Sequence, residues 1–169
     1  DKLAREESTG KAASTDELGV WERSLLRTVT NCALKMEEER LIGGLYSNVV
    51  WMVVTDSPAL GQRAVDTYDG QNVTKANDVL LPGPIHRSVL TTASQGKQTK
   101  ANRKPSTKDF AEAMIDWYLL GESDIVISGG GSLSFGATAS LRTARPLHLA
   151  RKDCQQETFS FDEPLDQLS

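Results

Sequence analysis

The chain has 169 residues, a formal net charge of -4 from 19 basic and 23 acidic side chains, and 38% hydrophobic residues beside 13 glycines. That length supports one domain with a core and leaves little room for two, and the apolar content excludes disorder for most of it. The mild acidity provides no global field for a polyanion, which disfavours nucleic-acid and anionic-membrane partners.

Residues 1–14 read as a polar lead-in, residues 15–150 as one α/β domain, and residues 151–169 as a polar, loosely packed tail. Ser14 and Glu17 form a capping-box pair ahead of Leu18, Trp21, Leu25, Val29, Ala33 and Met36, whose spacing predicts an amphipathic helix of about six turns. The helix is expected to end near Arg40, with Glu37, Glu38 and Glu39 as a solvated charged end, because the macrodipole disfavours acids there.

The run at 48–54 (NVVWMVV) is continuous and β-rich rather than alternating, as a strand buried on both faces of a parallel sheet requires. The following Thr55-Asp56-Ser57-Pro58 turn offers Ser57 as a cap and Pro58 as the first position of a helix reaching about Tyr68. A short apolar run at 79–81 suggests another strand, and residues 94–105, with Lys97, Lys100, Arg103 and Lys104, suggest a solvated loop.

Ser106 with Asp109 opens a third predicted helix, whose Ala111, Met114, Ile115, Tyr118 and Leu119 share one face, expected to lie on a sheet. Residues 124–128 (DIVIS) form the next expected strand, followed by a bend, GGGSLSFG, at 129–136 and an Ala-rich helix to about Leu141. A last strand is expected at 146–149. This alternation implies an open parallel sheet with helices on both faces.

In such sheets ligands bind beyond the carboxyl ends of the strands, which directs attention to the residues after Val54 and Ile127. Glycines at 129–131 allow close backbone approach, and the helix N-terminus with Ser132 and Ser134 can donate to phosphate oxygens. The pattern is neither a P-loop nor a dinucleotide fingerprint. Asp116 sits in an apolar helical stretch: alone it reads as solvent-facing, while its carboxylate could also accept the paired donors of guanine. Asp56 reads as a cap or as a functional carboxylate. His86 and His148 are expected to be surface or satisfied histidines, and with Cys32 and Cys154 they give no zinc spacing. The two cysteines read first as buried thiols, with pairing as the alternative.

The segment VVTDSPAL at 53–60, the segment IDWYLLGESD at 115–124 and the segment GSLSFG at 131–136 together resemble the C-terminal half of GDP-fucose-dependent fucosyltransferases of the core α1,6, nodulation and xyloglucan types. Asp116 and Asp124 keep the eight-residue interval of that family's acidic pair. The resemblance implies a Rossmann-like half of a GT-B-like glycosyltransferase that transfers fucose with inversion and without a metal, using GDP-fucose as donor and a glycan or glycoprotein as acceptor. It implies that Asp116 recognises guanine, that Ser132, Ser134 and Phe135 hold the diphosphate, and that Asp56 matches the essential first acid of the T-D-D turn. It also implies a His/Arg motif just upstream of Asp1, a separate N-terminal acceptor-binding half, and, for a eukaryote, the Golgi or secretory lumen. Asn72-Val73-Thr74 as a glycosylation sequon suits that compartment. The basic motif is absent, and Ser57 replaces the second acid of the turn. Other nucleotide-sugar transferases on the same architecture and non-catalytic binding modules are the competing readings.

Overall fold

The computed structural model describes residues 18–41, 48–72, 86–92, 107–129 and 134–159. Its first helix, α1 (Val20–Leu41), ends where the acidic run predicts. The expected cap at Ser14 and Glu17 lies outside the described residues. Instead, the Gly19 N–H donates to Glu22 Oε2 at 2.9 Å, so a first-turn carboxylate satisfies one of the donors that a helix N-terminus leaves open. Trp21 is exposed, while Cys32, Met36 and Leu41 are buried, so the packed face of α1 lies nearer its C-terminal half than the predicted stripe.

Strand β1 (Val49–Val53) falls within the expected run but is not buried on both faces, since Val50 is 61% exposed, and it leads into α2 (Pro58–Tyr68), with Pro58 in the first turn as expected. Ser57 makes no side-chain cap. The partner of β1 is β2 (Arg87–Thr91), parallel, with Val49 opposite Arg87 and Val53 opposite Thr91. The strand expected at 79–81 and the loop at 94–105 lie outside the described residues.

Helix α3 (Thr107–Glu122) leads to β3 (Val126–Ser128), and α4 (Ser134–Thr143) to β4 (Leu147–Leu149). A single 3₁₀ turn (Ala150–Lys152) and β5 (Gln155–Glu157) follow. β3 and β4 are parallel, and β5 joins β4 antiparallel. The described architecture is therefore mixed α/β, with four helices and two short sheets.

Helices cover both faces at β3. Ile125 and Ile127 pack with Val29, Cys32 and Met36 of α1, whereas Val126 and Ser128 lie beneath Gly136 of α4. Leu25 and Val29 of α1 also approach Gly129 so closely that an added Cβ would stand 2.7 Å from each. The first glycine of the predicted ligand bend thus accommodates a helix.

Three further expectations are overturned here. The apolar face of α3 does not lie on a sheet: Met114, Ile115 and Tyr118 are 45%, 58% and 54% exposed. The helix packs on α4 instead, where Trp117 Nε1–H donates to Thr138 Oγ1 at 3.0 Å and Gly121 lets the backbones close. The part of the expected tail that is described, residues 151–159, is not loosely packed, because β5 pairs with β4 and Cys154 is buried, whereas residues 160–169 lie outside the described residues. The buried-thiol reading fails as well: Cys32 and Cys154 form a disulfide, Cα–Cα 5.2 Å, joining α1 to the turn before β5.

Candidate functional site

The carboxyl edge of β1 is built by two helix N-termini. α2 starts there directly, and α1 reaches it because Ser57 Oγ–H donates to Glu22 Oε1 at 2.7 Å. The Glu22 carboxylate therefore accepts from a hydroxyl and from the Gly19 backbone. The Ser57 bond first, and the Gly19 N–H second, hold its carboxyl below the ordinary value of 4.5, against the opposing effects of burial and of the neighbouring Asp56 charge. Asp56 itself is exposed, and it takes part in an interaction within the chain. Two acids thus share this edge, of which sequence reasoning identified Asp56 alone. Glu22 carried a detectable signal, an acid three residues beyond Gly19, but Ser14 and Glu17 offered a more familiar cap upstream.

The adjoining edge of β2 is closed by protein. Thr91 Oγ1–H donates to Val53 O at 3.1 Å, and a Cβ on Gly61 would meet Thr91 Oγ1 at 2.5 Å, so α2 lies directly on this end of the sheet.

At β3, α4 begins with Ser134 a few residues beyond the strand, and Phe135 in its first turn is 37% exposed. The side chain of Ser134 and the whole of Ser132 lie outside the described residues. Gly136 seats the helix on Val126 and Ser128, which directs the open N–H groups of α4 toward the carboxyl end of β3.

Asp116 does not face solvent. It is 4% exposed within α3 and interacts within the protein, which overturns the reading of its residue type and neighbours taken alone. Asp124, eight positions on, is exposed and pairs with Arg145 at 3.7 Å. The structure therefore brings Asp56 together with Glu22 and places Phe135 at the start of α4, while Asp116 and Asp124 differ sharply in environment.

The acidic end of α1 is not simply solvated. Glu37 is buried and accepts from Arg87 Nε and Nη2, each at 2.7 Å, and the Arg87 guanidinium stacks 4.3 Å from the Trp51 ring centroid. Such a closed pair with its stacking partner is architectural. It anchors β2 to α1, and sequence reasoning missed it because a charged triplet at a helix end ordinarily faces water.

His86 is exposed, as expected for a surface residue. His148 is buried, with Nδ1 at 3.1 Å from Cys154 O and Nε2 without a hydrogen-bond partner among the described residues. No group of three His, Cys, Asp or Glu side chains among the described residues could hold a metal ion. No described helix is long and apolar enough to cross a membrane.

No family model matches the chain, and neither a curated protein nor a solved structure does.

Proposed function

We propose that this chain is the donor-binding part of a glycosyltransferase that takes a nucleotide sugar, with GDP-fucose as the donor and a glycan or glycoprotein as acceptor. The observation that carries this reading is the junction of β3 with α4. A parallel strand ends, Gly129 and a glycine- and serine-rich stretch of sequence follow, and a helix seated on the strand through Gly136 presents its N-terminus. That is the physical arrangement on which a diphosphate binds in open α/β sheets.

In this reading Ser132, Ser134 and the first N–H groups of α4 hold the diphosphate, with Phe135 beside them. Asp116 accepts the donor edge of guanine, exchanging its present internal interaction for the nucleotide, and Asp56 serves the acceptor side of the edge. Fixed N–H donors stabilise the charge that develops on departing GDP without reorganisation, which makes a metal-independent inversion chemically reasonable. A doubly wound GT-B half would unite the two parallel pairs into one sheet, with α1 and α2 on one side and α3 and α4 on the other. The disulfide supports the secretory lumen as the compartment.

A second reading, a nucleotide-binding module without turnover, is favoured by Ser57 standing in place of the second acid of the turn after β1. Calorimetry with GDP, UDP and GDP-fucose separates them from the outset. The transferase reading expects GDP to bind in preference to UDP and GDP-fucose to be turned over when an acceptor is present. The module reading expects binding alone, and absence of GDP binding to the folded, disulfide-bonded chain overturns both.

A further inference from the structure

We infer that Asn72 carries an N-linked glycan. Of the five asparagines in the sequence, Asn72 alone has a hydroxyl amino acid two positions on, Thr74, with Val73 rather than proline between them. A tripeptide of this kind is a modification site only if the chain traverses a compartment that holds the glycan donor and only if the folded surface leaves room for the product.

Both conditions have independent support. The disulfide between Cys32 and Cys154 spans 122 positions and forms where the environment is oxidising, which is the environment of secreted chains. Asn72 is exposed, and its side-chain amide has no hydrogen-bond partner among the described residues.

The local backbone explains that exposure. α2 ends at Tyr68, and Gly70, at φ 69°, turns the chain back toward β2. The Gly70 N–H donates to Arg87 O at 2.9 Å and the Arg87 N–H to Gln71 O at 3.0 Å, and Asn72 then bridges antiparallel to His86. The main chain is thereby pinned to the amino end of β2, while the Asn72 side chain is left at the surface.

This position also keeps a bulky substituent away from the proposed nucleotide edge. α2 has 11 residues, so it is about 16 Å long and runs from the carboxyl end of β1 to the turn before Asn72. A glycan on Asn72 stands at the opposite end of the strands from Asp56, so the modification does not depend on the transferase reading.

The reaction is the transfer of an oligosaccharide from a lipid-pyrophosphate carrier by a lumenal oligosaccharyltransferase. Asn72 Nδ2 forms a bond to the anomeric carbon of the first N-acetylhexosamine. The bond from that carbon to the pyrophosphate oxygen breaks, Nδ2 gives up one proton, and the lipid pyrophosphate leaves.

The test secretes the chain from a eukaryotic cell behind a signal peptide, confirms the disulfide by thiol titration, and digests it with a glycan-specific amidase. The expected result is a gel-mobility shift on digestion, with the Asn72 peptide recovered in the deamidated form by mass spectrometry. Asn72→Gln and Thr74→Ala each abolish the shift, the second without altering the acceptor side chain. A secreted chain with its disulfide closed and Asn72 unmodified overturns the inference, as does a shift that persists in both variants.

Discussion

Arg87 and Glu37, 50 positions apart in sequence, meet in a buried ion pair closed by two hydrogen bonds of 2.7 Å, with 2% and 7% of their side chains exposed. The pair joins the first residue of β2 to the last turn but one of α1. Removing one partner leaves the other charge buried and uncompensated, a change that costs about 3–5 kcal/mol. Glu37→Ala should therefore lower the unfolding free energy by about that amount in urea melts. The double variant Glu37→Leu with Arg87→Met should recover much of the loss, because a desolvated pair contributes little beyond an apolar pair of similar size. Equal stability of the single and double variants would show that the pair is not buried in solution.

Reducing the disulfide, or changing Cys32 and Cys154 to Ala, releases a loop of 122 positions in the unfolded chain. The expected loss is about 2–5 kcal/mol, read from denaturation with and without a thiol reductant. Hydrogen exchange should then rise first in β5, which is held by β4 and by this bond.

Glu22 predicts an acid-side dependence. Its folded-state carboxyl is held below 4.5 by the Ser57 hydroxyl and then by the Gly19 N–H. The stability it contributes is therefore present above 4.5 and is lost as pH falls through the lower folded-state value. The difference in unfolding free energy between the natural chain and Glu22→Gln should be largest near neutrality and shrink toward zero at acid pH. A difference that is constant from neutrality to acid would show that the carboxylate is not held in this way.

Two glycines should respond differently to alanine. At Gly121 a Cβ would lie 2.9 Å from Ala139 O and 2.5 Å from Arg142 Nη2, so Gly121→Ala should separate α3 from α4 and cost about 1–3 kcal/mol by thermal melts. At Gly70 there is open space, and Gly70→Ala should lose about 1–2 kcal/mol through its left-handed backbone alone. Far-ultraviolet circular dichroism should show the helix content of the Gly70 variant unchanged.

Asp116→Ala tests the nucleotide proposal. Loss of a hydrogen bond to a charged group should weaken GDP binding by about 1.5–3 kcal/mol in calorimetry. Undiminished GDP affinity in a folded variant would remove guanine recognition from this side chain.

The elements that sequence reasoning located were those with strong local chemistry. β1 announced itself through an unbroken β-rich run, and α2 through Ser57-Pro58, although Ser57 spends its hydroxyl on Glu22 rather than on the helix. β2 escaped because its five residues begin with an arginine whose burial depends on Glu37, a partner that no local window contains. The same dependence on distant partners hid β5 and left the pairing of Cys32 and Cys154 as the second choice. The apolar face of α3 was correctly read as a pattern, but its neighbour was not, because periodicity states which side chains share a face and leaves open what covers them. Of the candidate site, Asp56 and the start of α4 were legible from strand ends and glycine, whereas the burial of Asp116 follows from tertiary packing.

The bond between Cys32 and Cys154 closes most of the polypeptide into a covalent ring. A protease that severs any one peptide link inside that ring produces two fragments that still migrate as a single species, separating only after treatment with a reducing agent. Electrophoresis of a partly digested sample with and without that agent therefore reports where the backbone is accessible while the assembled molecule stays in one piece.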